Sequence, residues 1–177
     1  MAEILLGRSL PKAKKKSKFG LFFYIGLILL LLFPLQALIG WQPARLAELQ
    51  QIDKYKMWSG LVLAIYLGMQ WVLPGLRLAK KPKLVKRFYT LHKQVGVFAP
   101  LMFYMHSMQW GYAYLMVLSI VFFANIAIGL FSVDVVGQYM KVYRKQYTFW
   151  WMVMHVSLSV VTMGMMLYHI YISFAYQ

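Results

Sequence analysis

At 177 residues, 62% of them hydrophobic and 18% aromatic with only 13% charged, the chain has too little polar surface for a soluble domain and reads as an integral membrane protein. Its net charge of +15 does not point to nucleic acid, because the basic residues gather in short stretches beside apolar spans, as membrane topology requires. The absence of cysteine excludes disulfides, thiolate metal ligands and iron–sulfur clusters.

Five apolar segments use nearly the whole chain, so the expected fold is an all-α membrane protein, a bundle of five transmembrane helices. Residues 1–18 carry Arg8, Lys12, Lys14, Lys15, Lys16 and Lys18 and read as a basic cytoplasmic tail at an anionic membrane face. A signal peptide is the rival reading, but the apolar run that follows is long for one and lacks an A-x-A-like cleavage site. The membrane domain then covers 19–177, with spans at about 19–40, 58–78, 88–109, 112–133 and 149–176. Pro34 falls near the far end of the first span and Pro74 and Gly75 near the exit of the second. A mixed polar loop, 42–56, and a strongly basic one containing Arg77, Lys80, Lys81, Lys83, Lys86 and Arg87 flank that second span. The turn 107–111 is so short that the third and fourth spans must run antiparallel. A last basic loop with Lys141, Arg144 and Lys145 precedes the fifth span. Sixteen Lys and Arg fall on one side of this topology and three (Arg45, Lys54 and Lys56) on the other, which places the N-terminus in the cytoplasm and suits a bacterial inner membrane.

The chain has four histidines, His92 and His106 in the third span and His155 and His169 in the fifth, each pair 14 residues apart. In a helix fourteen residues return to within about 40° of the starting direction and rise about 21 Å. Each span thus shows two imidazoles on one face, one towards each side of the bilayer. Spans three and five run in the same direction, so His92 is expected to meet His155 near the inner face and His106 to meet His169 near the outer one. A polar side chain in hydrocarbon needs a reason, and two neutral imidazoles on one haem iron supply it, giving a six-coordinate centre suited to electron transfer. The expected cofactors are two haem b groups held between helices three and five. Gly96, four residues after His92, and Gly164, five before His169, would leave room for the porphyrin, and Pro100 should bend the third span. Arg87, Lys93, Arg144 and Lys145 are the inner candidates for the haem propionates; the outer side offers no clear partner. Met105 or Met154 as an axial ligand, and histidines that merely pack or bind a chlorophyll-type pigment in an accessory subunit, are the alternatives. The tryptophans Trp41, Trp58, Trp110 and Trp150 read as interface anchors. Asn125 reads as a contact between helices, and Asp134 as the end of span four or the partner of a cation.

The stretch HKQVGVFAPLMFYMH (92–106), followed one span later by WMVMHVSLSVVTMGMMLYH (151–169), resembles the ferric reductase-like transmembrane domain. That superfamily includes the membrane parts of ferric reductases and NADPH oxidases. The resemblance implies ligands on the third and fifth spans, one pair per leaflet, with a tryptophan four residues before the first ligand of the fifth span, a position that Trp151 occupies ahead of His155. It covers about the last half of the chain. The second pair in that family usually sits one residue closer together, and equal wide spacing also occurs in quinol-oxidising di-haem cytochromes b. The 177 residues hold no glycine-rich dinucleotide fingerprint. Electrons are therefore expected from a separate protein or a membrane quinol, with the chain acting as the electron-transfer subunit of a larger hetero-oligomeric oxidoreductase embedded in lipid.

Overall fold

The computed structural model describes residues 20–137, 139 and 142–175. The basic tail, Phe19 at the start of the expected first span, Lys141 and Tyr176 at the end of the expected fifth span lie outside the described residues. Every regular element among those described is a helix: α1 (Leu21–Ile39), α2 (Ala44–Leu49), α3 (Asp53–Gln70), α4 (Val72–Leu78), α5 (Pro82–Gly96), α6 (Ala99–His106), α7 (Tyr114–Leu130), α8 (Val133–Val136) and α9 (Arg144–Ala175).

Among the described residues four stretches are long and apolar enough to cross a bilayer: α1, α3 with α4, α7 with α8, and α9. The segment carrying His92 and His106 is not among them. Instead of the single expected helix 88–109 it forms two, of 15 and 8 residues, divided at Val97 and Phe98. The cause is Pro100, which has no N–H to return to the carbonyl of Gly96 and whose ring crowds that turn. The Phe98 amide turns back to the Val95 carbonyl at 2.9 Å, and the ladder resumes with Met102 N–H on the Phe98 carbonyl at 3.1 Å.

Side chains from α3 and from the residues ahead of it bond to the backbone on both sides of this break. Tyr66 Oη donates to the Val95 carbonyl. Gln50 Nε2 donates to the carbonyls of Tyr104 at 2.9 Å and Met105 at 3.1 Å, and its Oε1 accepts the Met108 amide at 3.1 Å. Tyr55 Oη adds a second donor to the Met105 carbonyl at 2.8 Å. These bonds cap α6 at its C-terminus, where helices leave carbonyls without partners.

Two caps depend on backbone handedness. Gly40 ends α1 in the left-handed region at φ +70, its amide on the Gln36 carbonyl at 3.0 Å. Gly111, at φ +76 in the turn before α7, leaves no room for a side chain, since a Cβ would lie 2.6 Å from Leu115 Cβ. The core is aromatic and lies where α1, α6 and α7 meet. Phe33 stacks on Phe123 at 4.7 Å between ring centres and meets Phe103 edge-on at 5.2 Å, while Phe103 stacks on Phe122 at 5.1 Å. Trp110 belongs to this cluster, 4.9 Å from Phe33. It is thus a packing residue rather than the expected interface anchor, whereas Trp41, Trp58 and Trp150 are exposed.

The fifth apolar helix begins at Arg144, five residues earlier than its hydropathy suggests, so Arg144 and Lys145 form its first turn instead of a loop. It lies along α7. Asn125 of α7 donates to Ser159 Oγ of α9 at 3.0 Å, and Trp151 Nε1 donates to the Ile128 carbonyl at 2.7 Å. Removing Gln50 tests how much the α6 cap contributes. Gln50→Ala leaves the Tyr104 carbonyl and the Met108 amide without partners, and should destabilise the detergent-solubilised protein by about 1–3 kcal/mol. A thermal-unfolding midpoint equal to that of the wild type would remove Gln50 from this account.

Candidate functional site

The four histidines, all partly buried, meet as two pairs. The ring centroids of His92 (α5) and His155 (α9) lie 6.2 Å apart with planes at 82°, and those of His106 (α6) and His169 (α9) lie 6.4 Å apart at 66°. Two rings bonded through one nitrogen each, at about 2.0 Å and on opposite sides of an ion, would have centroids roughly 6.3 Å apart, whereas a tetrahedral ion would bring them to roughly 5 Å. No hydrogen bond among the described residues engages Nε2 of any of the four rings.

The surroundings of the two pairs differ. In the first, His92 Nδ1 and His155 Nδ1 are buried without a hydrogen bond among the described residues. Trp151 stacks on His155 at 5.5 Å with planes 13° apart, one turn earlier on the same face. In the second pair both Nδ1 atoms meet hydroxyls, His106 with Ser59 Oγ at 3.1 Å and His169 with Tyr114 Oη at 3.3 Å. That pair also opens on a cavity of about 990 Å³ that includes Gly60, Trp110, Thr162, Lys54 and Lys56 in its walls.

Glycines set the approach of two rings, and they are not the ones the spacing suggested. A Cβ on Gly60 of α3 would lie 2.9 Å from His106 Cε1, and one on Gly129 of α7 would lie 3.0 Å from His155 Cε1. The expected pair, Gly96 and Gly164, touches neither ring. A Cβ at Gly96 would meet only Gln70 Oε1 at 3.8 Å, and one at Gly164 nothing within 4 Å. Gly164 is exposed at the surface, and Gly96 packs beside Gln70.

Of the four expected anion partners, Lys93 is already engaged: its Nζ lies 2.7 Å from Asp134 Oδ2, which also accepts from Tyr89 Oη at 2.6 Å. Arg87 on α5 and Arg144 and Lys145 at the start of α9 are exposed, with no ion pair among the described residues. Met105 and Met154 are exposed as well. Ser59, Gly60, Tyr114, Gly129 and Gln50 were missed in the sequence. Their only trace there is a Ser-Gly step inside an apolar span, which many packed helices contain. Among the described residues no three His, Cys, Asp or Glu side chains converge. No family model, curated protein or solved structure matches the chain.

The contact between Gly60 and His106 predicts opposite effects for two substitutions in one helix. Gly60→Ala forces a methyl group against the imidazole and should cost about 1–3 kcal/mol. Gly68→Ala, where nothing lies within 4 Å, should be neutral or stabilise by up to about 1 kcal/mol. Thermal unfolding of the two variants side by side checks the difference; equal midpoints would contradict the close approach.

Proposed function

We propose that the chain is a di-haem b-type membrane cytochrome that carries electrons across the bilayer, with α5 and α6 together making the third of five crossings between α3–α4 and α7–α8. The observation that carries this reading is the pairing of all four histidines at centroid separations of 6.2 and 6.4 Å. Two imidazoles leave an iron with further positions to fill, and a porphyrin brings four nitrogens of its own for them. The cavity at the second pair, about 990 Å³, falls at the upper end of the range for ligand pockets. When bound, an iron with two axial imidazoles supplies one-electron transfer without an open position for oxygen.

The chain's own residues then have distinct tasks. His92 and His155 hold the inner group, His106 and His169 the outer one. Trp151 fixes the plane of His155 by stacking, and Gly60 and Gly129 let two ligand rings press against backbone. Arg87, Arg144 and Lys145 remain free for inner propionates, while Lys93 serves Asp134. Lys54 and Lys56, in the wall of the outer cavity, are the outer candidates that sequence reasoning lacked. The stacked Trp151 gives a physical role to one feature of the ferric reductase-like resemblance. Donor and acceptor are proteins or quinone meeting the chain in a larger membrane complex, with the N-terminus cytoplasmic.

A pyridine haemochrome assay with protein determination on the purified chain tests this directly. About two b-type haems per polypeptide are expected, falling to one in His92→Ala or His155→Ala and to the other one in His106→Ala or His169→Ala, distinguishable by their reduced-minus-oxidised spectra. Wild-type protein purified without stripping conditions and lacking haem would overturn the reading, leaving an accessory subunit with packed histidines.

A further inference from the structure

Ser59 stands one turn beyond Tyr55 on α3 and faces the last residue of α6. Its hydroxyl has a single hydrogen, and the nearest acceptor is the Tyr55 carbonyl at 2.7 Å, with the Lys56 carbonyl at 3.2 Å. Such back-bonding to the preceding turn is the usual disposition of a serine in an apolar helix. The remaining contact, 3.1 Å from Ser59 Oγ to His106 Nδ1, therefore runs the other way: the ring nitrogen donates and the hydroxyl oxygen accepts. A neutral imidazole with its proton on Nδ1 carries its lone pair on Nε2. The neighbouring residue completes the constraint. Gly60 meets the ring at Cε1, the carbon between its two nitrogens, so closely that a Cβ would lie 2.9 Å away.

We propose that Ser59 and Gly60 act as a positioning pair that fixes both the tautomer and the orientation of His106, presenting Nε2 towards His169. This rests on the haem reading above. Tyr114 makes the corresponding contact to His169 at 3.3 Å, but a phenol can donate or accept, so that contact leaves the tautomer of His169 open. His106 is thus the ligand whose protonation pattern the protein sets by itself. An imidazole that donates its N–H to an acceptor is more basic at its other nitrogen, which favours the ferric over the ferrous state of an iron bound there.

The test is a redox titration of the full chain in detergent, comparing wild type, Ser59→Ala and Ser59→Thr, with low-temperature paramagnetic resonance of the oxidised forms. Ser59→Ala should shift the ferric-to-ferrous balance of the outer haem towards ferrous about tenfold, raising its potential by about 59 mV, and leave the inner haem unchanged. Ser59→Thr, which keeps the hydroxyl, should restore the wild-type value. Loss of the outer haem in Ser59→Ala with retention in Ser59→Thr would also support the proposal. Unchanged potential and resonance spectrum in Ser59→Ala, or loss of the outer haem in both variants, would overturn it. A wild-type chain without haem overturns the proposed function itself, whereas two haems with a silent Ser59→Ala overturn only this positioning role.

Discussion

Pro100 has no N–H to give the carbonyl of Gly96, and its ring crowds the turn before it. The segment divides at Val97 and Phe98, and side chains from elsewhere in the chain hold the backbone on either side of the break. Tyr66 reaches the Val95 carbonyl, and Gln50 and Tyr55 close the far end of α6. The arrangement of α3 against α6 follows from these bonds as much as from apolar packing. Pro100 itself is fully buried, so the residue that breaks the helix also fills the space the break creates. Holding α6 in this way positions His106, its last residue, against Ser59 and Gly60.

The same constraint governs the imidazoles. A ring with two nitrogens in an apolar surrounding needs a partner for each. The second pair obtains one each from Ser59 and Tyr114, and the first pair has neither hydroxyl. Around His155 the chain builds a different support. Ser159 donates to the His155 carbonyl at 2.7 Å and accepts from Asn125 Nδ2 at 3.0 Å, while Trp151 stacks on the ring from one turn earlier. These contacts tie α9 to α7 at the level of the histidine. The imidazole of His155 is held here by polar residues on the neighbouring helix, because apolar packing alone gives such helices little reason to hold one register.

Much of this was legible in the sequence. Hydropathy located the four long apolar helices, charge marked their boundaries, and the position of Pro100 between His92 and His106 anticipated a bend. The sequence also marked Asn125 as a contact between helices and Asp134 as the partner of a cation. What it could not show is anything that depends on which face of one helix meets another. Gly96 and Gly164 lie near histidines along the chain, yet the glycines that meet the rings are Gly60 and Gly129, far away in sequence and close only after folding. Gln50 reads as one polar residue of a polar loop, and nothing local reveals that three of its hydrogen bonds cap a helix more than fifty residues later. Trp110 looks like an interfacial tryptophan because it borders a turn; the turn folds it back onto Phe33.

The equal spacing of the two histidine pairs carries less of the geometry than it first suggests. In α9 the 14 residues from His155 to His169 form one uninterrupted helix, so the two rings differ in direction by about 40° across a rise of about 21 Å. Between His92 and His106 the same number of residues crosses a break, and neither rise nor rotation is that of a regular helix. Both pairs nonetheless reach nearly the same separation, 6.2 and 6.4 Å. The break must therefore be matched to α9, and the groups that fix its angle are the Tyr66 bond at Val95 and the Gln50 and Tyr55 bonds at the end of α6. On this view a change of register at either end of α6 would part His106 from His169 even with all four histidines intact, and α3, which carries no histidine, has as much to do with the second pair as the helices that do.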